Sequence, residues 1–258
     1  MARHGYYGMI SYVDEKVGQL LDVLEKTGLS DNTIVIFTAD HGEMMGERGM
    51  WFKQHFFEWA AAIPFIVHAP GRFAPARVAQ NISLVDLLPT LMDLAEPGFD
   101  NYAAPLDGTS LAGTLAGDAS GLPDTVISEF AADGSTGPSR MVRKGPWKLM
   151  WLEGEDTRLY NVVEDPNETA DRSTGADCAE IRADLEAILF DNWDPDRWFK
   201  TIRASQKRRL AIHKITAGAP TYVNLVRDDD ARRYVRNAGA ADTKARARLP
   251  MVAAAQPD

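Results

Sequence analysis

Cysteine is almost absent: the chain of 258 residues has one, Cys178. A lone thiol cannot close an internal disulfide, and it has no neighbours at zinc-ligand spacing. It reads as a structural or incidental thiol near a helix start, in keeping with a reducing cytoplasm. Long apolar runs are missing too. None reaches about 18 residues, so no transmembrane helix is expected. The first residues, Met1-Ala2-Arg3-His4-Gly5-Tyr6, lack the apolar core of a signal peptide. No internal repeat occurs.

What is present is an ordinary globular composition, 45% hydrophobic and 25% charged. It can bury a core in one large domain, or in a domain with an appendage. The net charge of −9 is unevenly spread. Residues 197–248 hold 14 Lys/Arg against 4 Asp/Glu, and the remainder holds 14 against 33. A basic tail on an acidic body is expected to dock on that body or on a neighbouring subunit. Nucleic-acid binding competes with that reading, but no recognition motif accompanies the charge. Neither a nucleic-acid nor a membrane partner is expected.

Periodicity predicts a helix over residues 5–27. Ile10, Val13, Val17, Leu20, Leu21 and Leu24 form one apolar stripe, and Gly28 is the stop signal. A buried strand follows at 33–38 and ends abruptly in Asp40-His41-Gly42. Residues 42–55 read as a long loop, 56–61 as a short helix and 64–68 as a second strand. Ser83 and Asp86 resemble a capping box for a helix over 84–94 that turns Leu87, Leu88, Leu91 and Leu94 inward. Residues 97–123 are loop-rich. Short strands at 125–130, 140–143, 148–152 and 159–161 predict a small antiparallel sheet, with a hairpin around Lys144-Gly145-Pro146. Helices are expected over 179–189, with Ile181, Leu185 and Ile188 inward, and over 195–214. Beyond residue 217 the pattern fades, and 238–258 reads as disordered or ordered only by a partner.

The chemistry concentrates at Asp40 and His41. A hard oxygen and a nitrogen suit several divalent metals. Adjacent residues point apart in a strand, so both can face one ion only where the strand ends and Gly42 lets the chain turn. The same tripeptide also suits a capped turn with a solvated acid. Lys53 follows among Gly49, Met50, Trp51 and Phe52, whose apolar bulk should partly desolvate its ammonium. Such a lysine can neutralise charge building on a departing ester oxygen. An ordinary solvent-facing lysine is the alternative. Glu43, Glu47 and Arg48 read as loop-fixing charges. Glu58 and Trp59 suit either a cation pocket or a helix-start acid beside a core tryptophan. Glu129, near the end of its strand, is a candidate substrate-facing carboxylate. His55 and His68 lack a paired ligand and read as structural.

Taken together, Thr38-Ala39-Asp40-His41-Gly42-Glu43 and Gly46-Glu47-Arg48-Gly49-Met50-Trp51-Phe52-Lys53 resemble the second half of a sulfatase of the alkaline phosphatase superfamily. Ile63-Pro64-Phe65-Ile66-Val67, Ser83-Leu84-Val85-Asp86-Leu87-Leu88-Pro89-Thr90-Leu91 and the run from Leu159 to Thr169 extend the likeness. Tyr6-Tyr7-Gly8-Met9-Ile10-Ser11-Tyr12-Val13-Asp14, Phe56-Phe57-Glu58 and Asp230-Ala231-Arg232-Arg233-Tyr234-Val235-Arg236-Asn237 resemble the choline-sulfatases within that family.

The resemblance implies an α/β fold: part of an alkaline-phosphatase-like mixed sheet flanked by helices, then the small antiparallel sheet with helices and an extended tail. It divides the chain into 1–123, the end of the catalytic domain, 124–216, a small subdomain, and 217–258, an oligomerisation or disordered tail. It implies hydrolysis of a small sulfate ester, choline sulfate, in a homo-oligomer joined through the tail. It implies a divalent cation, calcium or else manganese or magnesium, with Asp40 and His41 as half of its ligands. Lys53 would contact the sulfate and its leaving oxygen. The family nucleophile is a formylglycine made from cysteine in Cys-x-Pro-Ser-Arg. No such motif occurs here, since Cys178 is followed by Ala179-Glu180-Ile181-Arg182. The chain therefore reads as a C-terminal fragment with no nucleophile of its own, expected to be cytoplasmic, or periplasmic if a leader precedes it. A phosphonate monoester or phosphodiester hydrolase is the second reading, and a non-catalytic assembly fragment the third.

Overall fold

The computed structural model describes residues 2–131, 135 and 137–215. The expectations for residues 217–258, including their disorder and the tail motif, lie outside the described residues. Two units divide at Phe199 and Lys200.

The first helix, α1 (Ala2–Lys26), ends where Gly28 adopts φ 71°, as its stop signal required. Its apolar stripe does not face a core. No residue of α1 is buried, and Ile10, Val13 and Leu20 are 49, 44 and 67% exposed. Strand β1 (Val35–Thr38) follows, rich in β-branched residues that suit a pleated surface. The elements after it are β2 (Met44–Met45), β3 (Trp51–Phe52), α2 (Glu58–Ala61) and β4 (Phe65–His68). β1 and β4 pair antiparallel, Val35 opposite His68 and Thr38 opposite Phe65. Their residues are partly exposed rather than buried. The presumed loop over 42–55 is instead a miniature hairpin, with Met44 opposite Phe52 and Met45 opposite Trp51. Two-residue strands fall below what periodicity can register.

Ser83 and Asp86 form the expected capping box ahead of α3 (Leu87–Ala95). The leucine face turns inward only in part, with Leu87 and Leu94 half-buried. Pro89, Thr90 and Asp86 are buried, whereas Leu88 and Leu91 are 50 and 45% exposed. The reason is polar. The Asp86 carboxylate accepts the N–H of Ser83 and of Thr109, and the Thr90 hydroxyl donates to the Asp86 carbonyl while accepting the N–H of Leu111. These bonds tie the helix to the loop that carries α4 (Ala112–Leu115).

The second half is a four-stranded antiparallel meander: β5 (Thr125–Phe130), β6 (Ser139–Lys144), β7 (Trp147–Leu152) and β8 (Arg158–Asn161). Gly145, at φ 53°, makes the hairpin turn between Lys144 and Trp147. Helix α5 (Ala179–Phe190) covers one sheet face. Val142, Leu149, Leu159, Leu185 and Leu189 are essentially inaccessible there, with Cys178 beside them. The β2–β3 hairpin and α2 supply the other cover: Met44, Phe57 and Ala60 pack with Tyr160 and Val162. Alternation along a strand sends Leu149 to the first face and Lys148 and Met150 to the second. α6 (Pro195–Ile215) starts with proline where its missing N–H costs nothing, and Asp194 accepts the N–H of Arg197.

Candidate active site

Beyond β1 the chain leaves the sheet, and Asp40 and His41 do face one another. The Asp40 carboxylate accepts the His41 N–H at 3.1 Å, and its other oxygen lies 3.2 Å from His41 Nε2. On the opposite side of the ring, Nδ1 is 2.7 Å from the Gly42 carbonyl oxygen. A carbonyl only accepts, so Nδ1 carries the proton. Nε2 then presents its lone pair, and the Lys53 ammonium donates to it at 2.5 Å. Holding the outer ring nitrogen on a backbone carbonyl is how proteins orient a ligating histidine.

Lys53 reaches this point because of the miniature hairpin. Strand β2 leaves the Asp-His-Gly turn and β3 returns to it, so residues 12 apart in sequence meet. Phe52, just before Lys53, is held at φ 71°, a genuine outlier for a bulky residue. The expected desolvation of Lys53 does not occur. It is exposed, as is the Asp40 side chain at 83%, because Trp51 and Phe52 turn outward.

Gly42 is required by proximity rather than by an unusual turn. Its N–H donates to the Ala60 carbonyl at 2.8 Å, and a Cβ there would stand 2.1 Å from the Trp59 carbonyl oxygen. The hairpin's far end is pinned by Glu47. It pairs with Arg3 at 2.6 Å and accepts the Met45 N–H. Burial would raise the Glu47 pKa, but the N–H groups of Met45 and Glu47 itself and the Arg3 charge together hold it below the ordinary range. This is the loop-fixing role expected of Glu47.

Glu58 lines no cation pocket. Its two oxygens bind Lys148 and Arg143, each at 2.8 Å. Trp59 is 48% exposed, so it is not a core tryptophan either. Glu129 pairs with Arg140, its neighbour across β5 and β6, at 3.1 Å. No ion pair joins it to Lys53 among the described residues. The structure therefore brings Asp40, His41 and Lys53 into direct contact, and pairs Glu129 with Arg140.

Sequence reasoning missed Lys148 and Glu168, both wholly buried and paired with each other. A signal existed: Lys148 interrupts a strand of otherwise large apolar residues, Trp147-Lys148-Leu149-Met150-Trp151-Leu152. Such a strand has both faces covered, so its lone lysine must find partners inside. His55, read as structural, borders a cleft of about 950 Å³ with Phe56, Phe57, Trp151 and Met150. Burial pushes its pKa down.

One carboxylate oxygen and one ring nitrogen, 3.2 Å apart, are the donor types of half a divalent-cation site, and a cation on Nε2 would take the place that the Lys53 ammonium holds here. Among the described residues, no group of three or more His, Cys, Asp or Glu side chains gathers to complete one. No helix among them is long and apolar enough to cross a membrane.

Residues 2–97 match the family model for sulfatases. The chain is 34% identical over 248 residues to the choline-sulfatase of Rhizobium meliloti, covering 92% of this chain and 46% of that protein. It is 32% identical over 234 residues to arylsulfatase K of Mus musculus, covering 86% and 41%. The crystal structure of the phosphonate monoester hydrolase of Agrobacterium radiobacter superposes with a TM-score of 0.62 at 31% identity, over 71% of this chain and 39% of that one. The chain thus spans less than half the length of the curated relatives it matches. These likenesses bear out the expected fold class, a mixed α/β scaffold of the alkaline-phosphatase type followed by a small antiparallel sheet.

Proposed function

The chain belongs to the sulfatase family, and on that premise we propose that it carries part of the active site of a metal-dependent, choline-sulfatase-type sulfuric ester hydrolase. The meeting of Asp40, His41 and Lys53 at the end of β1 carries this reading. The reaction is hydrolysis of a sulfate ester, choline sulfate foremost, to its alcohol and sulfate. Asp40 and His41 would hold the cation, calcium or else manganese or magnesium. When bound, that ion supplies Lewis-acid polarisation of the sulfate and a template for it. Lys53 donates to the ester oxygen and neutralises the charge that collects there as the S–O bond breaks. Its exposure leaves it within reach of a bound anion. Glu129 would face the substrate with its charge already balanced by Arg140, which weakens it as a cation contact.

The remaining cation ligands would come from outside the described residues, and the formylglycine nucleophile from outside these 258 residues, in which no Cys-x-Pro-Ser-Arg occurs. Cys178 cannot supply the nucleophile, being 2% exposed in the core under α5 and outside the required motif. The basic segment from residue 217 would serve assembly into a homo-oligomer. Likeness to the phosphonate monoester hydrolase supports a second reading, in which the same residues serve a phosphonate ester.

The test is twofold. Calorimetric titration with Mn²⁺ and Ca²⁺ should show binding that weakens at least about tenfold in Asp40→Asn and His41→Ala. Turnover should be assayed with the chain co-expressed with the half of the Rhizobium meliloti choline-sulfatase that it does not span. Choline sulfate should be cleaved faster than a phenylphosphonate ester, and Lys53→Ala should lower kcat by about 10²–10³. Binding that survives both ligand substitutions, or turnover indifferent to Lys53, would overturn the proposal.

A further inference from the structure

The candidate site hangs on a short backbone bridge, and a buried charge cluster holds that bridge. Helix α2 spans only four residues, too few to keep its own geometry. One end is gripped by Glu168: its Oε2 accepts the Glu58 N–H at 2.7 Å, while its Oε1 pairs with Lys148. The Lys148 ammonium also donates to the Phe56 carbonyl and to Glu58 Oε1, both at 2.8 Å. The other end of α2 is the Ala60 carbonyl, which accepts the Gly42 N–H, and Gly42 in turn supplies the carbonyl that holds His41 Nδ1. A second route leaves the same residue. The Glu168 carbonyl accepts from Arg48, in the turn of the hairpin that delivers Lys53.

We propose that Glu168, with Lys148 as its counter-ion, is a positioning residue that fixes the tautomer of His41 and the approach of Lys53 through α2. This rests on the reading of Asp40, His41 and Lys53 as the active site. Stability alone is a poor account of the pair. Burying two charges costs several kcal/mol of desolvation, and apolar replacements are often as stable or more so. An apolar pair could not accept the Glu58 N–H and donate to the Phe56 carbonyl at once, so it would release α2. Glu168 also sits at φ 54°, a strained backbone for a carboxylate residue that its partners on both sides maintain.

The experiment compares Glu168→Gln and Lys148→Met with Leu185→Ala, a cavity variant on the opposite sheet face, by ¹⁵N NMR of the His41 ring and by Mn²⁺ titration. The wild type and Leu185→Ala should carry the proton on Nδ1 and bind Mn²⁺ within about twofold of each other. Glu168→Gln and Lys148→Met should move a large share of the proton to Nε2 and weaken Mn²⁺ about tenfold, the cost of losing an outer support of a metal ligand. Should either fail to fold, Arg143→Gln removes only the outer partner of Glu58 and should shift the tautomer in the same direction by less. Folded Glu168→Gln with a wild-type tautomer and Mn²⁺ affinity would overturn the positioning role and leave the site reading intact. A wild-type His41 already protonated on Nε2, with no Mn²⁺ bound, would overturn the site reading and this proposal with it.

Discussion

Two apolar helix faces meet different fates, and the one with the stronger pattern in sequence is the one left exposed. The face of α5 and its partners on β6, β7 and β8 vanish from solvent, with Leu149, Leu159 and Leu189 at 0% exposure. The stripe of α1 has more large aliphatic residues at helical spacing than α5, six against four, yet Leu20 is 67% exposed and no residue of the helix is buried. Periodicity thus marks the face a helix would bury, while burial depends on a partner of matching shape. The sheet of β5–β8 brings its own partners, because α5 and the β2–β3 hairpin cover it from both sides.

The comparison breaks hardest at its charged interior. Lys148→Met should cost about 3–5 kcal/mol in urea unfolding, since it strands a buried carboxylate. Adding Glu168→Gln should recover part of that loss. Next, Leu149→Ala should cost about 2–5 kcal/mol, whereas Leu20→Ala should stay within about 0.5 kcal/mol. A cost above about 1.5 kcal/mol for Leu20→Ala would reveal a cover on α1 in solution and erase the contrast.

Gly42→Ala should cost about 1–3 kcal/mol, because the methyl group meets the Trp59 carbonyl oxygen and backbone must yield. The same variant should weaken Mn²⁺ binding.

The smallest effect is a pH dependence. Burial lowers the His55 pKa below its ordinary value near 6.5, so the folded state binds this proton less readily than the unfolded one. Its contribution is therefore whole above about pH 6.5 and is lost as pH falls through the folded value. His55→Leu should flatten that part of the wild-type stability profile. An unchanged slope would show that His55 is solvated, and that the cleft beside it is not a dry part of the second core.

Strong local signals in the sequence match the structure. Ser83 with Asp86, Gly28, and the strands at Thr125–Phe130 and Trp147–Leu152 appear as expected, since capping, φ > 0 and alternation act within a few residues. Local signals fail where distant groups compete. Thr90 outranks Leu88 and Leu91 for the interior because Asp86 and Leu111 need its hydroxyl. Of the two readings of Glu58, the helix-start acid is the one the structure shows, since it opens α2 and Arg143 and Lys148 claim both its oxygens. Asp40, His41 and Lys53 were legible as chemistry, but the bond between His41 and Lys53 was not, because strands of two residues leave no period to read.

Residue identity alone determined which groups could do chemistry here, where the chain had to turn, and that no nucleophile motif lies within it. Those are properties of side chains and of nearby backbone, and they travel with the sequence. Tertiary structure alone decided which lysine meets the histidine, which lysine is buried, and which apolar stripe is covered. Each of those depends on segments brought together from far along the chain, where close packing and the need to satisfy every buried charge select a single arrangement.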